Sequence, residues 1–226
     1  MLKAKGTIMC DSCTKVECRS NYPKGIPAWC TATTFHDAIE RTKMNYSEPD
    51  NINIYQAAGK IVTRGYSKWP RVQEAIEFAK ELKLKKVGLA SCAALLNELG
   101  LVAQIFTGAG FEVVSSACQI GRVSPEDRGV NYDNIDRRHM FCNPIAQAEI
   151  CNVAGTQLNF ILGLCLGHDI LFTRHSKAPA SVLIVKDRVT GHNPAAVLYA
   201  SNLRQSLFKL YCGKSCLKIK RSNIER

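Results

Sequence analysis

Three short apolar segments of this chain each end next to a cysteine. The segments are residues 87–91, 111–117 and 158–164, and the cysteines that follow them are Cys92, Cys118 and Cys165. Apolar runs of this length predict buried strands. Segments of helical composition lie between them, and this alternation predicts a parallel sheet joined by right-handed crossovers.

A fourth apolar segment, 181–185, continues the alternation. A chain of 226 residues is long enough for one sizeable α/β domain with an elaboration, or for two modest domains. We therefore expect an α/β fold with a small Rossmann-like parallel sheet of about four strands. The predicted parts are a cysteine-rich metal-binding segment (1–35), a helical layer (36–84), the parallel α/β domain (85–213) and a basic tail (214–226).

Helix signals surround these strands. Asn143 is a favourable N-cap, Pro144 fits the first helical turn, and Gly155 stops the helix that begins there. The helix predicted over 93–106 is almost wholly apolar, so we expect it to be buried between the sheet and its neighbours. Further helices are predicted over 36–44, 51–64, 69–84, 170–175 and 193–211.

Eleven cysteines are present, and the first residues contain no apolar stretch of the signal-peptide type. The longest apolar run, 160–166, is far shorter than the roughly 20 residues that a bilayer crossing needs. We therefore expect a cytoplasmic protein without a membrane partner. In a reducing compartment, clustered thiols bind metal or take part in catalysis more often than they form disulfides, and the odd cysteine count agrees.

Cysteines at three successive strand ends suggest one shared site, because ligands of open parallel sheets bind beyond the carboxyl ends of the strands. Cys142 precedes a helix N-cap and is the predicted fourth ligand, with the helix dipole stabilising its thiolate. The predicted cofactor-binding set is therefore Cys92, Cys118, Cys142 and Cys165. The alternative is that these cysteines are small buried residues at partly buried strand ends, as we expect for Cys151 inside a helix.

Candidate catalytic groups lie on the loops at the same rim. His168 follows Cys165 and is predicted as a ligand or an acid–base group. Lys186 and Asp187 follow the fourth strand and are predicted to contact substrate, with salt bridging as the alternative. The long polar segment between Cys118 and Cys142 would bring positive charge over the site. Its basic residues include Arg122, Arg128, Arg137, Arg138 and His139.

A second group of cysteines lies near the start of the chain, in a segment without helical or strand periodicity. Cys10, Cys13, Cys18 and Cys30 have the spacing C-x2-C-x4-C-x11-C. The C-x2-C pair puts two sulfurs on one turn, and two later thiols can complete a metal site. Bound metal would supply the folding energy of such a segment. The spacing differs from a zinc ribbon, so zinc and an iron–sulfur cluster both stay open.

The formal net charge is +11 when every thiol is counted as neutral. Metal-bound thiolates would offset much of this charge, because coordination deprotonates the thiols. No recognition motif accompanies the charge, so we do not expect a nucleic-acid partner. The basic tail (214–226) fits a solvated terminus as well as it fits a phosphate-binding arm.

The sequence resembles a family of uncharacterised proteins from anaerobic bacteria and archaea, described only as predicted metal-binding proteins with a domain of unknown function. The resemblance covers most of the chain and is most specific over 142–199. Its segments are the N-terminal cysteine cluster, VGLASC, CNPIAQAE, GLCLGHD and VKDRVTGHNPAAVLY. The resemblance implies metal binding but no particular substrate.

The leading expectation is a cytoplasmic, Cys-ligated metal-binding protein with two sites that acts in redox chemistry or electron transfer. Thiolates select soft or borderline metals, so an iron–sulfur cluster (4Fe-4S) and zinc are the candidate cofactors. The cluster is favoured at the sheet, because loops from separate strands can hold a group several atoms across. A redox partner or an anionic small molecule is the expected partner. The alternatives are a non-catalytic zinc-stabilised module that recognises an acidic partner, and a thiol enzyme without metal.

Overall fold

The computed structural model describes residues 29–124 and 141–208, together with the single positions Cys10, Cys13, Cys18, Ile26 and Gly129. The described residues fall into two compact units, whose boundary in the sequence lies between Gln56 and Ala57. The predicted basic tail and most of the polar segment before Cys142, with Arg128, Arg137, Arg138 and His139, lie outside the described residues. The predicted four-part organisation stays a prediction. Among the described helices, none has the length and apolar character that a membrane crossing requires.

Four parallel strands form one sheet. They are β1 (Lys86–Ser91), β2 (Glu112–Ala117), β3 (Leu158–Leu162) and β4 (Ala180–Ile184). Their spatial order is β2-β1-β3-β4. Because β1 lies between β2 and β3 in parallel register, Ser91 is paired with both Ala117 and Leu162, so three strands end at one edge. The predicted α/β fold with a parallel sheet of four strands is confirmed.

Helices precede and connect the strands. In the first part of the chain these are α1 (Thr31–Thr34), α2 (His36–Thr42), α3 (Pro49–Gly65) and α4 (Arg71–Glu81). After β1 they are α5 (Leu96–Gly108), α6 (Pro144–Ala154), α7 (His168–His175), α8 (Ala196–Tyr199) and α9 (Ser201–Phe208). The predicted boundary signals of α6 are confirmed, since Asn143 Oδ1 accepts the Ala146 N–H at 3.0 Å and Gly155 ends the helix with φ +68°.

Two predicted helices differ in the structure. The segment predicted as one buried helix over 93–106 begins as a 3-10 turn (Ala93–Leu95), and only one face of α5 is buried. Leu101 on the other face is 61% exposed, so apolar composition alone did not indicate burial on all sides. The helix predicted over 193–211 is divided in its described part into α8 and α9, because Ala200 adopts an extended backbone between them.

Each face of the sheet carries its own apolar core. On one face, Leu89 and Phe160 pack with Ile76 from α4 and Phe106 from α5. On the other face, the strands pack with α6 and α7. The buried members of this second core include Ala90, Ile161, Ala148, Cys151 and Phe172, together with Cys92 and Cys118. The two remaining predicted ligands directly precede these helices in sequence, Cys142 before α6 and Cys165 before α7.

Candidate metal centre at the carboxyl edge of the sheet

Backbone geometry brings four of the predicted ligands to one edge. Cys92 and Cys118 directly follow β1 and β2, and their ends are in register. Gly163, with φ +59°, turns the chain after β3 towards Cys165, and a Cβ at this position would lie 2.1 Å from Leu95 Cδ1. Cys142 is held beside β2, because the Asn143 N–H donates to the Cys118 carbonyl at 2.6 Å.

The thiols of these four residues, which we call the sheet-edge thiols, contact one another in a chain. The Sγ atoms of Cys142 and Cys118 lie 3.4 Å apart. The thiol of Cys92 lies near those of Cys118 and Cys165, and its side-chain interactions with both lower its pKa. The two central thiols are buried, Cys92 at 8% and Cys118 at 2% exposure, and the two outer thiols are half-buried. Residues 73 positions apart in the sequence are therefore joined through sulfur (Cys92 to Cys165).

Backbone N–H groups also point at the sulfurs. In the 3-10 turn after β1, the Ala93 N–H donates to Cys118 Sγ at 3.3 Å and the Ala94 N–H donates to Cys92 Sγ at 3.5 Å. Hydrogen bonds of this kind favour the charged form of an acid. The turn that replaces the first part of the predicted helix thus supplies donors to two different thiols.

Side-chain interactions lower the pKa of two sheet-edge thiols and raise the pKa of the other two. Hydrogen bonds from Cys118 and Cys165 hold the pKa of Cys92 well below its usual range. Hydrogen bonds from Cys118 and then from His168 lower the pKa of Cys142 to about 5. The pKa values of Cys118 and Cys165 are raised, chiefly by Cys142 and by Cys92 respectively. Two thiolates are therefore stabilised by two neighbouring thiols at neutral pH.

Three cationic side chains surround the thiols. Arg188 Nη2 donates to Cys165 Sγ at 3.6 Å. His168 hydrogen-bonds with Cys142, and this contact raises the pKa of the imidazole, so its charged form is favoured. Lys186 approaches Cys92 and lowers the pKa of that thiol, although its Nζ makes no hydrogen bond of ordinary length with any described residue. The surroundings of the sheet-edge thiols are therefore positively charged.

Asp187, predicted as a catalytic group, has its hydrogen bonds directed into its own loop. Its Oδ1 accepts the Val189 N–H at 2.9 Å and the Thr190 N–H at 3.0 Å. Its backbone N–H donates to His192 Nδ1 at 3.1 Å. These contacts close the loop that carries Arg188, so the described role of Asp187 is to position that loop. The predicted catalytic roles of His168, Lys186 and Asp187 stay predictions.

Gln147 is a residue of this region that the sequence reasoning missed. Its side chain is fully buried on α6, and its Nε2 donates to the carbonyls of Ser116 at 2.8 Å and Ser91 at 3.1 Å. These two carbonyls lie at the ends of β2 and β1, just before the two central cysteines. The signal available in the sequence was a polar residue in the otherwise apolar segment PIAQA.

The other predicted set, Cys10, Cys13, Cys18 and Cys30, is arranged differently; we call it the N-terminal thiols. The Cys13 N–H donates to the Cys10 carbonyl at 3.3 Å, as expected for a C-x2-C turn. Cys10 Sγ lies 3.0 Å from Thr31 Oγ1, beside Cys30. All four are exposed or half-buried, and in the described part of the chain no side-chain hydrogen bond joins them to one another.

Over residues 29–124 and 141–208 and the single described positions, no group of three or more His, Cys, Asp or Glu side chains forms a preformed metal-holding arrangement. The contacts of the sheet-edge thiols run pairwise, from Cys142 through Cys118 and Cys92 to Cys165. Four thiols that share protons in this way are suitable ligands for a metal ion with affinity for sulfur, because the ion binds the thiolates and displaces the shared protons.

The family model described as "Protein of unknown function (DUF1847)" matches residues 30–183, a range that contains every sheet-edge thiol. The uncharacterised protein MJ0455 of Methanocaldococcus jannaschii is 39% identical over 173 residues, which cover 76% of this chain and 89% of that relative. Neither description assigns an activity, so the metal binding implied by the sequence resemblance stays a prediction. By the family match over residues 30–183, the chain belongs to the DUF1847 family.

Proposed function

We propose that the sheet-edge thiols bind one thiophilic divalent metal ion and that the protein functions as a Cys-ligated metal-binding protein. The observation that carries this proposal is the unbroken chain of contacts among four thiols from distant points of the sequence. Deprotonated thiols are the form that binds metal, and the backbone N–H groups of Ala93 and Ala94 favour that form.

The sulfur separation supports a single ion. Two thiolates at about 2.3 Å from one tetrahedral Zn²⁺ lie about 3.8 Å apart. The 3.4 Å between the sulfurs of Cys142 and Cys118 is close to this value, so a small side-chain rotation would suffice. A 4Fe-4S cluster binds each thiolate on a different iron and needs the sulfurs farther apart. This one sulfur pair is therefore the reason why we prefer a single ion to the cluster expected from the sequence.

Four thiolates fill a tetrahedral ion and leave no position for substrate, unlike a catalytic metal site. With zinc, the site would stabilise a non-catalytic module. With iron, the site would transfer electrons to a redox partner. The position of Cys165 favours this iron-containing form. Cys165 is half-buried and is followed by Leu166, which is 90% exposed, so electrons could be exchanged through this side.

The N-terminal thiols are proposed as a second metal site that orders its own segment. The contact between Cys10 Sγ and Thr31 Oγ1 supports it, because it brings the start of the motif beside Cys30. Reduced thiols are required at both sites, which supports the cytoplasm as the location of the protein.

Metal and acid-labile sulfide analysis of the full chain, purified without oxygen, tests this proposal. We expect bound zinc or iron without sulfide in the wild type and one ion fewer per chain in Cys92→Ala. Cys151→Ala is the control, since this equally buried cysteine is outside the chain of contacts and its replacement should leave the metal content unchanged. Wild-type protein without metal, or Cys92→Ala with full metal content, would contradict the proposal.

A further inference from the structure

Lys186 has an unusual environment for a lysine. Its Nζ is buried and makes no hydrogen bond of ordinary length with any described residue. Lysine is rarely buried without a partner, because removing an ammonium from water is strongly unfavourable unless an anion compensates its charge. A buried cation without a hydrogen-bond acceptor therefore points to a negative charge that it faces.

The position of Lys186 shows where that charge would be. The residue follows β4, whose Ile184 carbonyl accepts the Gly163 N–H at 2.7 Å. The Lys186 Cδ lies 3.7 Å from the point that a Cβ on Gly163 would occupy, so the lysine side chain passes next to the backbone of this glycine. The ammonium then faces the sulfur of Cys92, the central thiol of the chain of contacts.

The carboxylates of the neighbouring loops do not serve as the partner. Asp187 Oδ1 accepts two backbone N–H groups of its own loop. Asp169 Oδ1 likewise accepts the N–H groups of Gly167 and Ile170. Among the described residues, the anionic groups left to face Lys186 are the sheet-edge thiols.

The charge of Lys186 is opposite to the net charge that a metal ion bound by the four sheet-edge thiolates would carry. Four thiolates around a divalent ion carry a net double negative charge. Arg188 donates to the outer thiol of Cys165 and contributes one positive charge. Lys186 contributes a second positive charge from the interior, and His168 beside Cys142 adds a third in its charged form, so these side chains together offset the charge of the thiolate-ligated ion.

We propose that Lys186 is the interior counter-cation of the sheet-edge metal site and sets its affinity for a thiolate-ligated divalent ion. This inference rests on the proposed function. It assigns Lys186 a positioning and specificity role through charge, in place of the substrate contact expected from the sequence. With iron in the site, the same charge stabilises the more negative reduced form and raises the reduction potential.

The test compares Lys186→Met, Lys186→Arg and the control Lys85→Met in the full chain, each titrated with Zn²⁺ against a competing chelator. Lys85 is exposed and precedes β1 at the opposite edge of the sheet. We expect Lys186→Met to weaken Zn²⁺ binding about 10- to 100-fold, the range found for groups that support metal ligands. Lys186→Arg should retain most of the affinity, and Lys85→Met should bind like the wild type.

One further measurement separates charge compensation from a change in the ligand set. The visible spectrum of bound Co²⁺ should be unchanged in Lys186→Met, because all four ligands remain. Equal Zn²⁺ affinity of Lys186→Met and the wild type, or a changed Co²⁺ spectrum, would each overturn the proposal. Absence of Zn²⁺ binding in the wild type would instead overturn the proposed function.

Discussion

The two cysteine sets of this protein have the same number of thiols but differ in how the chain arranges them. The N-terminal thiols come from 21 consecutive positions, are exposed or half-buried, and make one described side-chain contact, between Cys10 and Thr31. The sheet-edge thiols come from 74 positions, yet they contact one another because parallel strands end in register. Closeness in sequence therefore does not create a preorganised site, whereas a sheet edge does.

This difference has an energetic consequence. The strands, the Gly163 turn and the Asn143 cap fix the sheet-edge thiols before any metal binds, so little conformational entropy opposes binding there. The N-terminal thiols make no described side-chain contact with one another, so a metal ion would have to bring them together, which reduces the apparent affinity. We expect the sheet-edge thiols to bind their metal ion with higher affinity than the N-terminal thiols bind theirs.

The largest expected effect separates the two sets by substitution. Cys118→Ser should remove the sheet-edge ion completely and leave the N-terminal ion in place, because Cys118 contacts both Cys92 and Cys142. Cys13→Ser should have the reverse effect. Metal analysis of both variants after a mild chelator wash checks this prediction. Loss of both ions in either single variant would show that the two sites are not independent.

The next largest effect concerns the scaffold of the sheet edge. Gln147→Leu should lower the free energy of unfolding by about 2–4 kcal/mol, because two buried carbonyls lose their hydrogen-bond donor. Urea denaturation of the metal-free protein measures it. Gln73→Leu is a suitable control, since among the described residues the Gln73 amide donates to the Glu77 side chain on the same helix, and the loss of this bond should have a much smaller effect. Equal destabilisation by both substitutions would contradict the role of Gln147 in holding the ends of β1 and β2.

A smaller effect is expected for the outer cation. Arg188→Met should weaken metal binding only a few-fold and less than Lys186→Met, because the Arg188 side chain is exposed and its charge is screened by salt. Chelator competition at low and high salt measures it. The difference between Arg188→Met and the wild type should shrink as the ionic strength rises, and a difference independent of salt would contradict this explanation.

The smallest effect is expected at the N-terminal thiols without metal. Cys30→Ser should change the unfolding free energy of the metal-free protein by less than about 0.5 kcal/mol, as for most substitutions outside a packed core. Urea denaturation checks this value. A larger loss of stability would mean that this set is preorganised after all, and the contrast with the sheet-edge thiols would disappear.

Much of this fold could be predicted because its local signals agree. Strand-length apolar runs and the boundary signals at Asn143 and Gly155 predicted β1 to β4 and α6. Cysteines at the ends of three strands predicted a shared edge, since parallel strands end together. These predictions required only periodicity and chain direction, which the sequence contains directly.

The remaining features depend on tertiary contacts. Nothing local predicts that β1 lies between β2 and β3, that Gln147 crosses to two strand ends, or that the Lys186 ammonium faces Cys92. The exposure of Leu101 on α5 also depends on what packs against that face. The expected iron–sulfur cluster relied on loop reach alone, and the 3.4 Å separation on which we base the proposal of a single ion could be read only from coordinates.

The most direct test of the account is X-ray absorption at the metal edge of full-length protein in which the four N-terminal thiols are replaced by serine. Of the two proposed sites, the sheet-edge site then remains to bind the ion. We predict a single shell of four sulfurs at about 2.3 Å and no neighbouring metal atom. A shell of oxygen and nitrogen atoms, a second metal atom at short distance, or no bound metal would contradict the claim that these four thiols share one ion.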